Sequence, residues 1–236
     1  MKNTIKTAFA LALTMFVSIA ANAQTNTNAV VNFSGIISPS VDMRIVGVTN
    51  NSSGTTVNSS SATQATIDFG ELSPNRLQSS LTNGHSAFTV NVALRSNTTY
   101  RVQANSALGG TVGTGKWELD DIGFGVLAPT ATGPTVSSGS GSGVFPGATG
   151  ITVGTNASST DPAASAVVAG TPSYAKTLSD IKENSDIITG GRISYQGNVN
   201  TPDNAIVVPL RFASAPQFFD PETRTGSVVF DIFPTP

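Results

Sequence analysis

Residues 88–94 read FTVNVAL, a run in which large apolar residues alternate with smaller or more polar ones. Successive side chains of a β-strand point to opposite faces, so this period of two predicts a strand with one buried and one solvated face. The same alternation recurs at residues 31–37, 67–69, 100–104, 206–212 and 228–233. Turn-forming residues separate these runs. Many short strands joined by such turns predict an all-β sandwich or barrel.

Two stretches carry their own expectations about local structure. Proline has no N–H to donate to a ladder, so Pro209 predicts that its strand, at residues 206–212, lies at a sheet edge or at a bulge. Residues 175–188 place Leu178, Ile181 and Ile188 near helical spacing, and we expect a short helix there.

The N-terminus has the pattern of a secretory signal. Lys2 and Lys6 precede an apolar run at residues 8–20, and Ala21-Asn22-Ala23 forms a small-residue cleavage site. We expect a signal peptide at residues 1–23 and export of the chain that follows. The alternative is an N-terminal helix that anchors the chain in a membrane, although the apolar run is short for a membrane span.

The composition excludes several classes of function. The formal net charge is −2, from 12 Lys and Arg against 14 Asp and Glu, and scattered basic residues give no footprint for nucleic acid. The chain has no Cys and one His, which rules out disulfides, thiol catalysis, Cys-based metal centres and multi-His sites. We therefore expect no catalytic residues, no enzyme activity, no cofactor and no metal.

A few isolated residues could in principle take part in catalysis or binding, but each has a simpler structural interpretation. We expect His85 to be a solvated loop histidine, because catalysis would need an oriented partner that the sequence does not reveal. Glu118, Asp120 and Asp121 lack the spacing of a known calcium loop, so we expect solvated acids. For Trp117, neighbouring apolar residues favour a core position over stacking on a sugar.

Residues 129–172 are rich in Gly, Ser, Thr, Ala and Pro and hold no Lys or Arg. This composition predicts a surface insertion that buries little. The alternative is an exposed loop that carries a binding surface. A second stretch of this kind, residues 49–63, is typical of a long loop.

Three stretches in this order resemble the fimbrial (pilin) subunits of the chaperone–usher class. The first is VNFSGII at residues 31–37, which is similar to the family's N-terminal extension. The second is IDFGEL at residues 67–72, followed by FTVNVAL. The third is VPLRFA at residues 208–213 followed by GSVVFDIF at residues 226–233, which resembles the family's closing pair of strands. The chain resembles a cysteine-free member of this family with an insertion.

The resemblance implies an immunoglobulin-like, pilin-type β-sandwich that lacks its final strand and is completed by a donor strand. It implies a signal peptide at residues 1–23, a donor-strand extension at 24–38 and one sandwich domain at 39–236 with the insertion at about 129–172. The implied donor residues are Val31, Phe33, Gly35 and Ile37. The implied wall of the acceptor groove comprises Val228, Phe230 and Ile232.

The function that the resemblance implies is that of a structural subunit of a bacterial surface fimbria, with a role in adhesion or biofilm formation. The implied partners are neighbouring pilus subunits, a periplasmic chaperone, an outer-membrane usher and a host receptor, and the implied location is the cell surface, reached through the periplasm. One alternative is an adhesive or tip subunit that binds a host glycan or protein through the loops at 49–63 or 129–172. Another is a self-contained exported coat-type β-sandwich, in which residues 29–37 form an ordinary first strand.

Overall fold

The computed structural model describes most of the chain beyond residue 33. The described residues are 34–36, 38–51, 56–60, 63–74, 81–136, 143–168, 171–194 and 204–235, with residues 56–60 described by their backbone alone. The chain divides into two compact units, Met1–Ser38 and Pro39–Pro236. The description that follows concerns the second unit.

The second unit is built from β-strands, which confirms the prediction of an all-β protein. The strands are β1 (Val41–Asn50), β2 (Thr56–Ser60), β3 (Ala65–Asp68), β4 (Ser86–Ser96), β5 (Tyr100–Leu108), β6 (Gly123–Val126), β7 (Thr130–Ala131), β8 (Thr152–Val153), β9 (Ser185–Gly190), β10 (Ile206–Ser214) and β11 (Gly226–Pro234). Among the described residues, two short 3-10 helices occupy Leu119–Asp121 and Leu178–Ile181.

The strands form two antiparallel sheets and a hairpin. One sheet has the order β1-β4-β10-β6, with β7 also paired to β10; the other has the order β11-β5-β9-β8. In the part of the chain that the structure describes, β2 pairs with β3 alone. The turn at residues 97–99 carries the chain from the first sheet to the second, because β4 and β5 belong to different sheets.

A single core lies between the two sheets. The first sheet contributes Phe88 and Leu94, and the second contributes Tyr100 and Val102, all at most 1% exposed. Each fully buried large apolar side chain stabilises the fold by roughly 1.5–3 kcal/mol. The alternation in the sequence therefore corresponds to strands that turn one face to the core and the other face outwards.

Pro209 lies in the interior of its sheet, so the prediction of an edge strand is wrong. The alternative of a bulge agrees with the structure, because the register against β10 shifts by one residue between β6 and β7, beside Pro209. β10 pairs with β4 on one side and with β6 and β7 on the other. The carbonyl oxygen of Pro209 accepts a hydrogen bond from Leu127 N at 2.9 Å, so its nitrogen also faces the side of β6 and β7. Because β6 ends at Val126 and β7 begins at Thr130, the missing N–H coincides with a gap in the ladder.

The prediction of a short helix at residues 175–188 is also wrong. Leu178 and Ile181 are buried on one turn of 3-10 helix, but Asn184 then adopts a left-handed φ of 40°. The chain continues as β9, where a register shift against β5 lets both Ile187 and Ile188 face the core with 0% exposure. A 3-10 turn followed by a bulged strand places apolar residues at intervals that imitate a helix.

The segment at residues 129–172 buries more than its composition predicts, so the expectation that it buries little is wrong. The segment adds β7 to the first sheet and β8 to the second, and its Val144 is only 2% exposed. Ala163 packs with Tyr174 against Ala87 and Ala213 on the outer face of the first sheet. We call the part of the chain around Ala163 and Tyr174, which covers this outer face, the third layer. Small residues suit the third layer because they let its backbone approach the backbone of the sheet closely.

Two glycines and one arginine fix the third layer to the sheet. A Cβ on Gly123 would lie 2.4 Å from the Tyr174 ring, and one on Gly125 would lie 2.6 Å from Thr160 O. The side chain of Arg211 on β10 is 5% exposed, and its Nε donates to Asp161 Oδ1 at 3.0 Å. This ion pair joins the central strand to the segment that covers it.

We expect Asp161→Ala to destabilise the chain, because it leaves the buried Arg211 guanidinium without its carboxylate partner. The free energy of unfolding should fall by about 2 kcal/mol, less than for a fully buried pair because Asp161 is partly exposed. Urea unfolding measures the change. Asp231→Ala, on the exposed face of β11, is the control and should change stability by less than about 0.5 kcal/mol. Equal stability of the two variants would contradict the fixing role of the pair.

Candidate functional site

Each of the two sheets has an end strand on the same side of the sandwich. β1 is the end strand of the first sheet and β11 is the end strand of the second. Within the described residues, β1 pairs only with β4 and β11 pairs only with β5. β1 and β11 approach each other without pairing. We call the gap between them, lined by the inward side chains of both strands, the edge groove.

The two strands run in opposite directions along the edge groove. Val41, the first residue of β1, pairs with Ser96 at the end of β4, and Pro234, the last residue of β11, pairs with Tyr100 at the start of β5. Because the 97–99 turn joins β4 to β5, the start of β1 and the end of β11 lie at the same end of the sandwich. There, Thr235 N donates to Thr99 O at 2.9 Å.

The groove side of β11 carries apolar side chains that the protein covers only in part. Val228, Phe230 and Ile232 face the core and are half-buried, whereas the residues between them are exposed. The Phe230 ring stacks on Phe124 across the core, with centroids 6.4 Å apart. On the central strand β4, by contrast, the core-facing apolar residues are at most 7% exposed. The core side chains are therefore fully buried at the centre of the sheet and only half-buried at this edge.

β1 forms the second wall of the groove in the same way. Val41, Met43, Ile45 and Val48 are half-buried and pack against the core. A register shift between Ile45 and Gly47 restores the inward direction for Val48. It leaves Val46 53% exposed.

The backbone of β11 points its hydrogen-bonding groups into the groove at the residues with inward side chains. Thr225 O accepts from Gly109 N, and Thr235 N donates to Thr99 O, each at 2.9 Å. Since donors and acceptors alternate sides along a strand, the odd-numbered residues bond to β5. The even-numbered residues, from Gly226 to Ile232, therefore direct their N–H and C=O groups towards the groove.

On β1, too, the residues with inward side chains direct their backbone groups into the groove. This holds on both sides of its bulge, which is the register shift between Ile45 and Gly47. Ser40 O accepts from Asn97 N at 3.1 Å, and Asn51 N donates to Ala87 O at 3.0 Å. Even-numbered residues before the bulge and odd-numbered residues after it therefore bond to β4. The backbone groups of Val41, Met43, Ile45 and Val48 face the groove, as do their side chains.

The residues that sequence analysis proposed for strand exchange fall in different parts of the chain. Val228, Phe230 and Ile232 lie together on the groove face of β11. Val31, Phe33 and Ile37 lie outside the described residues. Gly35 is exposed, and a Cβ added to it would meet nothing within 4 Å.

Sequence analysis missed the wall that β1 forms. The stretch VDMRI at residues 41–45 does alternate, and this signal could have identified Val41, Met43 and Ile45. Arg44 and Asp42 occupy the opposite face, where Arg44 Nε lies 3.1 Å from Asp42 Oδ2. The two charges therefore stay outside the groove.

His85 is buried, so the expectation of a solvated loop histidine is wrong. Only 2% of the residue is exposed, and its ring lies 5.6 Å from that of Tyr174 in the third layer. Burial lowers the pKa of His85, and the nearby Arg211 lowers it further, whereas backbone hydrogen bonds at Thr82 and Asn83 and the charge of Asp161 act in the opposite direction. His85 is thus neutral in the fold over a wider pH range than in an unfolded chain.

Trp117 packs against the core, as expected. Its ring meets Phe69 edge-on at 5.7 Å, and its Nε1 donates to Ser214 Oγ at 3.0 Å. Within the described ranges, no cluster of three or more His, Cys, Asp or Glu could hold a metal ion. Among the helices in those ranges, none has the length and apolar character needed to cross a membrane.

Comparison with known proteins adds no family to this description. The chain matches no protein-family model, and no curated protein sequence matches it. The fold defines the described chain as an all-β sandwich in which the edge groove lies between the end strands β1 and β11.

The lowered pKa of His85 predicts acid sensitivity. As the pH falls below the unfolded value of 6.5, the unfolded chain binds a proton at His85 before the folded chain does, so stability is lost. His85→Gln should reduce the fall in melting temperature between about pH 7.5 and about pH 5.5. Thermal unfolding of both proteins at each pH measures it. An identical fall in the two proteins would show that His85 does not contribute.

Proposed function

We propose that this chain is a structural subunit of a bacterial surface fibre of the chaperone–usher type, with a role in adhesion or biofilm formation. It polymerises by donor-strand exchange, in which one copy lends a strand to the next. The observation that carries the proposal is the coincidence on β11: Val228, Phe230 and Ile232 turn both half-exposed apolar side chains and backbone hydrogen-bonding groups towards the edge groove.

An open edge of this kind is costly unless another strand covers it. Edge strands are templates for pairing with other chains, and soluble proteins usually protect them with charges or bulges. In the edge groove, the inward residues of both strands are apolar. An added strand would gain ladder hydrogen bonds from the backbone and would place alternate side chains in the core, which is the recognition mode called β-strand addition.

Residues 29–37 of a neighbouring copy have the properties that such a strand needs. Val31, Phe33 and Ile37 alternate with residues 32, 34 and 36, and the interval from Val31 to Ile37 equals that from Gly226 to Ile232. Each large side chain that becomes fully buried would contribute roughly 1.5–3 kcal/mol. By the resemblance to pilins, Gly35 would sit where the groove leaves no room for a side chain.

The remaining parts of the proposal follow from the resemblance to pilins. The signal peptide at residues 1–23 directs export to the periplasm. A periplasmic chaperone protects the edge groove until an outer-membrane usher admits the subunit to the fibre. The assembled subunits lie at the cell surface.

Phe230→Asp and Phe33→Asp should each prevent fibre formation, because a carboxylate would have to be desolvated in the groove. Val229→Asp is the matched control for the first variant. It changes the neighbouring residue on the exposed face of β11, and it should assemble normally. Co-expression with a cognate chaperone and usher, followed by electron microscopy of surface fibres, measures assembly. Normal fibres from the Phe230→Asp variant would refute the role of the groove.

A peptide of residues 24–38 should bind the second unit and stabilise it. The test uses residues 39–236 alone, with the peptide added in increasing concentration. At about a hundredfold excess over Kd, stabilisation should reach about 2.7 kcal/mol and raise the melting temperature by about 5–10 °C. A peptide with Asp in place of Phe33 is the control. No saturable rise with the native peptide would mean that the sandwich is already complete.

A further inference from the structure

The turn that precedes β4 holds the only Asn-Gly pair of the sequence, at Asn83 and Gly84. Thr82 and His85 bond to each other in both directions, with N···O distances of 2.8 and 2.9 Å, so only two residues form the turn. Asn83 and Gly84 have positive φ angles of 51° and 84°. These are the properties of a type I′ hairpin turn, in which Asn followed by Gly is a preferred pair.

The side chain of Asn83 holds the third layer against this turn. Its Nδ2 donates to Ala163 O at 2.8 Å and to Ala164 O at 3.1 Å. Its backbone oxygen accepts from Val167 N at 3.1 Å. Both partners of the side chain are carbonyl oxygens, so only the amide nitrogen can face them. We call these three hydrogen bonds the Asn83 latch.

The same side chain is open to an intramolecular reaction. The backbone nitrogen of Gly84 can attack Cγ of Asn83, because glycine has no side chain to hinder the approach. The new N–Cγ bond forms as the Cγ–Nδ2 bond breaks, and the proton of the attacking nitrogen leaves with the amide as ammonia. Water then opens the succinimide ring to aspartate or isoaspartate. Asn83 is exposed, so solvent reaches it.

We propose that Asn83 is a site of spontaneous deamidation and that the reaction releases the third layer. The product carboxylate has no hydrogen to donate, and it faces the carbonyl oxygens of Ala163 and Ala164, which carry partial charge of the same sign. Asp161, whose Oδ1 accepts from Ala163 N at 2.8 Å, adds a second negative charge to this loop. The isoaspartate product also lengthens the backbone of a turn that has no residue to spare.

A second asparagine shows why the position matters. Asn184 also has a positive φ, of 40°, and is exposed. Its Oδ1, however, accepts a hydrogen bond from Asn105 Nδ2 at 3.3 Å. A carboxylate at Asn184 keeps this acceptor, so the change from amide to acid preserves the contact. At Asn83 the side chain is the donor, and the same change removes both of its hydrogen bonds.

The latch also protects Asn83 from the reaction. Its hydrogen bonds hold the amide in one orientation, and ring closure needs the amide to rotate. The third layer must therefore lift first, and local openings of this kind have a free-energy cost that lowers the rate. We expect deamidation to be at least about tenfold slower in the full chain than in a peptide of residues 81–86. Once formed, the acid prevents the latch from closing again, so the reaction makes an opening permanent.

Hydrogen exchange of the full chain, measured by mass spectrometry, tests the latch. Asn83→Asp has the product side chain, and the amides of residues 161–167 should exchange at least about tenfold faster than in the unchanged chain. Asn83→Gly keeps the positive φ but lacks both amide and charge, and its exchange should lie between the two. Asn184→Asp is the matched control and should exchange like the unchanged chain. Unchanged exchange in Asn83→Asp would rule out the latch.

Ageing of the full chain at mildly alkaline pH tests the reaction without requiring any variant to fold. Peptide mapping should show conversion at Asn83 ahead of Asn184, and more slowly than in the free peptide. The converted chains, separated by ion exchange, should show the faster exchange at residues 161–167, whereas aged Asn83→Gly should not change with time.

Three results of the ageing experiment would overturn the proposal. They are conversion at Asn83 no faster than at Asn184, conversion as fast as in the free peptide, and converted chains whose exchange is as slow as before. The turn lies outside the edge groove, and the inference does not depend on the proposed function. Fibre formation by the unchanged chain is therefore a separate question from the outcome here.

Discussion

The ladder between β4 and β10 is the interaction on which the rest of the structure depends. It runs without a break from Ile206 opposite Leu94 to Ser214 opposite Ser86. One face of this pair builds the core, and the other face carries Ala87, Ala213 and Arg211 beneath the third layer. Both central strands are therefore buried on two sides, which is unusual for an antiparallel sheet and explains why so few of their residues reach solvent.

The stability of the sandwich decreases from this centre towards β1 and β11. The apolar residues at the centre are fully buried, whereas those of the two end strands are only half-buried. Regions with few buried contacts and open backbone groups exchange partners most readily. On the proposed function, the edge groove is thus where a second chain would bind without disturbing the central ladder.

Strand positions could be predicted from the sequence because alternation reports which face of a strand is buried. The local exceptions depend on neighbours that are distant in sequence. Pro209 is tolerated because the adjoining strands β6 and β7 leave a gap beside it, and His85 is buried because Tyr174, far along the chain, covers it. The third layer was missed for the same reason. Ala163 carries almost no apolar signal by itself, and the segment around it fits because Gly123 and Gly125 leave room for Pro162 and Tyr174.

Pro234 limits the length over which another strand could form hydrogen bonds with β11. It is the next even-numbered residue after Ile232 on the groove side of β11, and it has no N–H to offer an incoming strand. On β1, the bulge at Val46 bends the facing edge away from a flat template. On the proposed function, a subunit that accepts one strand would also risk pairing with further copies of itself into an unlimited sheet. The two interruptions would limit strand pairing to a few residues, so that the chain could polymerise by exchange without aggregating.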